Sequence, residues 1–164
     1  WGMEIMNPAE LDRFADALQG SGRLLGVDPG SKTIGLAISD ENWAIASAVR
    51  TIKRTKFTPD AQAMLEFSNV EGVSGIVIGL PLNMDGTEGP RARSSRAFAR
   101  NLTRLTDLPI QLWDETLSTS EALEGVSAKK AAQMKADGRL DAIAASLILQ
   151  GCCDAMRALP PHTA

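Results

Sequence analysis

Residues 26–35 read "GVDPGSKTIG", and the fold turns on how that stretch is taken. Gly26 to Thr33 misses a phosphate-cradling loop by one residue, with Ser31 where the second glycine should stand. In such a loop the Lys-Thr pair opens a helix whose N-terminus helps to hold the phosphates. Here Thr33 opens "TIGLAIS", in which Ile34, Leu36 and Ile38 alternate with Gly35, Ala37 and Ser39. That period of two is a strand's. The chain is expected to turn at "PGSKT" and return as a hairpin partner, leaving Asp28 at or near the end of a buried strand. The likeness of "IQLWDE" (110–115) to the acidic strand of nucleotide hydrolases does not rescue the phosphate-loop reading, because no helix follows the loop.

Working outward, "RLLGVD", "TIGLAISD" and "AIASAVRTI" are three strands joined so closely that they predict an antiparallel meander. The pattern then changes. "TPDAQAMLEFSNVEG" reads as a helix, "GIVIGLP" as a fully buried strand, "GPRARSSRAFARNLTRLTD" as a helix and "PIQLWDE" as a strand. "STSEALEG" (118–125), "SAKKAAQMKAD" (127–137) and "RLDAIAASLILQGCCDAMRAL" follow as helices. This order predicts an α/β fold: a five-stranded mixed sheet, three strands antiparallel and then two parallel, with helices on both faces. Residues 1–22 form an extension whose "NPAELDRFADALQ" is a short amphipathic helix capped by Asn7 with Pro8 at its first position. Residues 23–158 form the domain, and residues 159–164 a tail holding His162, for which no role is expected.

Bulk properties agree with one ordinary globular domain: 164 residues, 44% hydrophobic, 23% charged and a formal net charge of −3. The apolar runs "GIVIGL" and "AIAASLIL" are too short for a membrane span of ~20 residues. The N-terminal segment has acids and no apolar core of the signal-peptide kind. Adjacent Cys152 and Cys153 fit reduced core residues better than a disulfide. A cytoplasmic protein with no membrane partner is expected.

The chemistry lies in the acids. An acid in a strand is disfavoured and costly to bury alone; Asp28 either caps its turn through the Gly30 or Ser31 amides or belongs to a site. "QLWDET" ends a strand on Asp114 and Glu115, whose side chains point to opposite faces. Asp141 begins an otherwise apolar helix, either complementing its dipole or joining the site, with Leu140, Ile143, Ala144, Leu147 and Ile148 expected as the buried stripe and Ala144 and Ala145 small enough to let the helix lie close to the sheet. Carboxyl ends of parallel strands are where ligands collect. Carboxylates gathered there repel unless divalent cations hold them. An all-oxygen donor set favours Mg2+ or Mn2+, and a two-metal site of that kind suits phosphodiester chemistry.

"GVDPGSKTIGLAISD", "IVIGLPLNMDGTEGPRA", "LWDETLST" and "LDAIAASLIL" together resemble, in order, the motifs of the Holliday-junction-resolvase-like family of the RNase H-like superfamily. Its members are described as pre-16S ribosomal RNA processing nucleases. The resemblance spans about Arg23 to Gln150. It implies an RNase H-like fold with Asp28, Glu115 and Asp141 as catalytic, metal-binding acids, and Asp114 as a reserve ligand. Many relatives carry Arg after the Asp-Glu pair where this chain has Thr116, so one substrate-facing cation is missing.

The expected partner is nucleic acid, ribosomal precursor RNA ahead of branched DNA. On a helix, Arg93, Arg96, Arg100 and Arg104 fall within about 80° of one another, with Phe98, Leu102 and Leu105 opposite. No acid interrupts Arg91 to Arg104, so the stripe reads as a phosphate track. Lys32, in the turn after Asp28, and Asn83, in the loop "GLPLNMDGTEG", are further contacts. Arg50, Lys53, Arg54, Lys56, Lys129 and Lys130 could add charge. Trp43 and Trp113 are expected in the core rather than stacked on bases. A monomer or weak homodimer is expected. The rivals are a Holliday-junction resolvase, a non-catalytic nucleic-acid-binding module and an actin-like ATPase, the last of which needs two such domains.

Overall fold

The computed structural model describes residues 8–115 and 139–160. Their elements are α1 (Pro8–Ala17), β1 (Arg23–Pro29), β2 (Thr33–Ser39), β3 (Ala46–Lys53), α2 (Phe57–Glu71), β4 (Val73–Leu80), α3 (Pro90–Leu102), β5 (Ile110–Asp114) and α4 (Arg139–Arg157). The helices expected at 118–125 and 127–137, the Asn7 cap, Thr116, Lys129, Lys130 and His162 lie outside the described residues. No helix among the described residues is long and apolar enough to cross a membrane.

The strands lie in the order β3-β2-β1-β4-β5. β1 and β2 pair antiparallel, as do β2 and β3, while β1, β4 and β5 run parallel. The expected five-stranded mixed sheet is therefore present. Asp28 lies opposite Gly35 and Pro29 opposite Ile34 in the β1–β2 hairpin. A strand follows Thr33, which removes the phosphate-loop reading.

The pleat sends alternate residues to two unlike faces. On one, Leu25, Val27, Ile34, Leu36, Ile76, Ile78, Ile110 and Leu112 pack with Met64 of α2 and Phe98, Ala99 and Leu102 of α3. On the other, Leu24, Ala37, Val77 and Trp113 meet Leu11, Phe14 and Leu18 from α1 and the turn after it, together with α4. Glycines 26, 35, 75 and 79 interrupt that second face, and both helices use the space. A Cβ at Gly26 would lie 2.7 Å from the Leu149 Cβ and 2.9 Å from the Ala145 carbonyl oxygen. At Gly35 it would overlap the main chain of Asp141. The first turn of α4 thus rests directly on the sheet backbone.

That close approach corrects the expected stripe of α4. Of Leu140, Ile143, Ala144, Leu147 and Ile148, only Ile148 is fully buried. The buried wall consists of Ala142, Ala145, Ile148, Leu149, Cys152, Cys153 and Met156. A glycine-lined surface selects small side chains at close contact, so the face was set by shape rather than by hydrophobicity. The two cysteines are free, buried core residues, and burial raises both thiols above their ordinary range. Trp43 and Trp113 are core residues as well; the indole N–H of Trp43 donates to the Gly22 carbonyl at 2.8 Å.

A second correction concerns α3, which ends at Leu102, short of the expected boundary. The Thr103 hydroxyl donates to the Arg100 carbonyl at 2.5 Å, a local bond that competes with the helix ladder. Arg104 therefore follows the helix instead of extending its stripe, and Leu105, expected on the packed face, is 44% exposed.

Candidate active site

Three elements deliver three carboxylates to the glycine-lined face. Asp28 sits one residue before the end of β1 and is buried. Its turn is closed through its main chain, with the Gly30 amide donating to the Asp28 carbonyl at 3.0 Å, so the carboxylate is not used as the cap. Glu115 lies one residue past β5, where its amide donates to the Leu80 carbonyl at 3.1 Å and carries the parallel ladder one step further. Alternation from Trp113 returns Glu115 to the side of Asp28 and puts Asp114 on the other. The Glu115 carboxylate lies over Gly79, where an added Cβ would stand 2.8 Å from Oε2.

Asp141 arrives in the first turn of α4, and its Oδ2 accepts the hydroxyl of Thr33, the first residue of β2. A Cβ at Gly30 would lie 3.2 Å from that same oxygen. Glycines 30, 35 and 79 each vacate space that Asp141 or Glu115 fills.

The electrostatics follow from crowding. Burial, first, and then the charge of Glu115, a hydrogen bond with it, and the charge of Asp141 push the Asp28 carboxyl up to about 8 from its ordinary 3.8. Glu115 is also raised, chiefly by burial. Such a pair holds one proton between two carboxylates at a pH where isolated acids are ionised. Arg91, the second residue of α3, opposes the effect by lowering both groups.

The donor set fits a hard divalent cation, being carboxylate only, with neither sulfur nor imidazole. Among the described residues no three such groups already stand as a coordination shell. The Asp28 side chain is hydrogen-bonded to Glu115, while Asp141 is turned onto Thr33. Asp28, Glu115 and Asp141 are the residues that would hold a cation here.

The basic residues divide into different roles. Lys32 is exposed on the turn that separates Asp28 from Thr33. Arg93 and Arg100 are exposed on α3, and Arg104 is exposed beyond it. Arg96 is bound by Glu88 through two bonds of 2.9 Å, an acid just upstream of the window read as free of acids. Asn83 shapes its own loop: its amide donates to the Thr87 carbonyl at 2.9 Å and its side chain to the Thr87 hydroxyl at 3.0 Å. Arg91 and Thr33 escaped the sequence reading. Arg91 lies off the stripe that joins Arg93 to Arg104; only its place just after the loop leaving β4 could have marked it.

A family model described as "RuvX: Holliday junction resolvase" matches residues 22–155. The chain belongs to this family. The chain is 51% identical over 154 residues to a protein of Paracoccus denitrificans named "Putative pre-16S rRNA nuclease", covering 91% of this chain and 94% of that one. A protein of the same name from Paramagnetospirillum magneticum is 49% identical over 152 residues, covering 93% and 96%. Among solved structures, Thermus thermophilus RuvC in complex with Holliday junction substrate superposes with a TM-score of 0.53 at 12% identity, covering 84% of this chain and 97% of that one. At that identity the likeness is one of fold, and it gives the RuvX domain an RNase H-like architecture.

Proposed function

We propose that this RuvX-family chain is a metal-dependent endonuclease that hydrolyses phosphodiesters of structured nucleic acid, with pre-16S ribosomal RNA as its substrate. The observation that carries the reading is the convergence of Asp28, Glu115 and Asp141 on one face at the carboxyl ends of parallel strands. Crowding three acids together around a buried one is costly for a fold that only needs to bind polyanions. It suits one that must hold a cation against a phosphate. Mg2+ or Mn2+ bound there would polarise the scissile phosphodiester and bring water to it in reactive form.

The chain's own groups divide the remaining work. Thr33 holds Asp141 in place, and Gly35 lets α4 come near enough to present it. Arg91 offsets negative charge beside Asp28 and Glu115. Lys32, Arg93, Arg100 and Arg104 are exposed cations for tracking phosphates, and Asn83 keeps the loop after β4 in shape beside them. The names of the relatives favour ribosomal precursor RNA, and a place in the cytoplasm would suit that substrate. The family description favours a second reading, resolution of four-way DNA junctions.

The test is cleavage of a labelled ribosomal precursor leader RNA and a labelled four-way DNA junction, each with Mn2+, Mg2+ or chelator, by wild type and by Asp28→Asn. Metal-dependent cuts in the RNA, reduced at least about 1,000-fold in the variant, are expected. Cuts confined to the junction would select the resolvase. No cuts by folded wild type would leave a binding module.

A further inference from the structure

One arginine outside the carboxylate cluster is built into its support. Arg54 directly follows β3, and its amide donates to the Lys32 carbonyl at 2.9 Å. Its guanidinium Nη1 donates to the Gly30 carbonyl at 2.6 Å, and the guanidinium carbon lies over the Phe98 ring, 5.5 Å from the centroid. Phe98 is a buried residue of α3, held edge-on by Phe57 at 5.3 Å. Arg54 therefore ties both ends of the β1–β2 turn to a fixed aromatic platform.

Gly30 is the sensitive point of that turn. Its N–H bonds the Asp28 carbonyl at 3.0 Å. Its α-carbon abuts the Asp141 carboxylate so closely that a methyl there would stand 3.2 Å from Oδ2. Its carbonyl accepts from Arg54. One residue thus bonds the main chain of a first acid through its N–H, faces the carboxylate of a second across its α-carbon and accepts from the arginine through its carbonyl. We infer that Arg54 is a positioning residue of the active site, holding the Gly30 peptide that fixes Asp28 relative to Asp141. The role suits arginine because a planar guanidinium can stack on a ring while donating in its own plane, which an ammonium cannot. The half-buried side chain is directed at a main-chain carbonyl, so its task differs from that of the exposed arginines of α3.

The inference rests on the nuclease reading for its kinetic readout but not for its binding readout. Arg54→Met keeps the apolar stem over Phe98 and removes the donor; Arg54→Lys keeps a donor without the plane. Steady-state cleavage should show kcat reduced about 10- to 100-fold in Arg54→Met with KM within about threefold of wild type, and partly recovered in Arg54→Lys. Mn2+ alone, titrated calorimetrically into each folded protein, should bind about tenfold more weakly to Arg54→Met. A raised KM at unchanged kcat would make Arg54 a substrate contact and overturn the positioning role. Wild-type kcat and wild-type Mn2+ affinity in Arg54→Met would overturn it too. Should wild type cut nothing, the nuclease reading falls, and the Mn2+ titration still decides the role of Arg54.

Discussion

The two faces of the sheet contrast in what their side chains leave room for. The face under α2 and α3 is filled by Val27, Ile34, Leu36, Ile76, Ile78 and Leu112, a surface of branched chains that interdigitate with helices at ordinary distance. The face under α1 and α4 alternates such residues with Gly26, Gly35, Gly75 and Gly79, and there helix main chain approaches strand main chain. Bulky packing provides most of the apolar burial, at about 1.5–3 kcal/mol for each large side chain. Glycine-lined packing contributes less burial per residue and allows something else: it brings the start of a helix, with its acid, to within reach of two strand ends. One face is organised for stability and the other for placing carboxylates.

Substitutions on matching strands would break that division if it is wrong. The largest effect is expected for Gly35→Ala, whose methyl would collide with the Asp141 main chain. Lifting α4 by even about 1 Å should cost cleavage about 100-fold or more, measured as kcat on whichever substrate wild type cuts, in protein shown to be folded by circular dichroism. Next comes Ile78→Ala, on the bulky face of β4. It should lower unfolding free energy by about 2–5 kcal/mol in urea titration while leaving the pH dependence of cleavage unchanged. Activity losses of equal size in both variants would show that the faces are not specialised.

A pH trend sharpens the contrast. The Asp28 carboxyl is raised in the folded protein to about 8 from an ordinary 3.8. The folded state therefore holds this proton more tightly than the unfolded state. The resulting stability is fully present below about pH 4, and it is lost as pH rises towards 8. Without divalent cation, the melting temperature of wild type relative to Asp28→Asn should fall across that interval and level off above it. Mn2+ binding should strengthen over the same interval, because the cation competes with the proton. A flat difference in melting temperature would mean that Asp28 is not crowded as described.

Much of this was legible in the residues, for physical reasons. Period-two alternation in "TIGLAIS" excluded a helix after Lys32-Thr33, and that one exclusion separated a strand-end carboxylate from a phosphate loop. The antiparallel pairing of the first three strands followed from their short connections. Asp28 and the Asp114–Glu115 pair stood out because strands disfavour acids. What depended on three-dimensional distance was not legible. The wheel of "RLDAIAASLIL" pointed Leu140, Ile143, Ala144 and Leu147 inward; of the two alanines expected to allow close approach, Ala145 lies against the glycine-lined sheet, with Ala142 taking the place of Ala144. Arg96 looked like one member of a free stripe until the loop folded Glu88 onto it. Arg91 and Arg54 matter through what lies beside them in space, and neither has a neighbour in sequence that announces it.

The origin of the three acids also constrains the order in which the molecule acquires its chemistry. Asp28 belongs to the first strand, Glu115 follows the fifth, and Asp141 is carried by the last described helix, which docks on strands made long before it. A chain emerging from synthesis therefore holds an incomplete set of carboxylates until nearly the whole domain has folded. If the nuclease reading holds, cutting power appears last and all at once, so a half-made copy is harmless to the RNA-rich machine that is producing it.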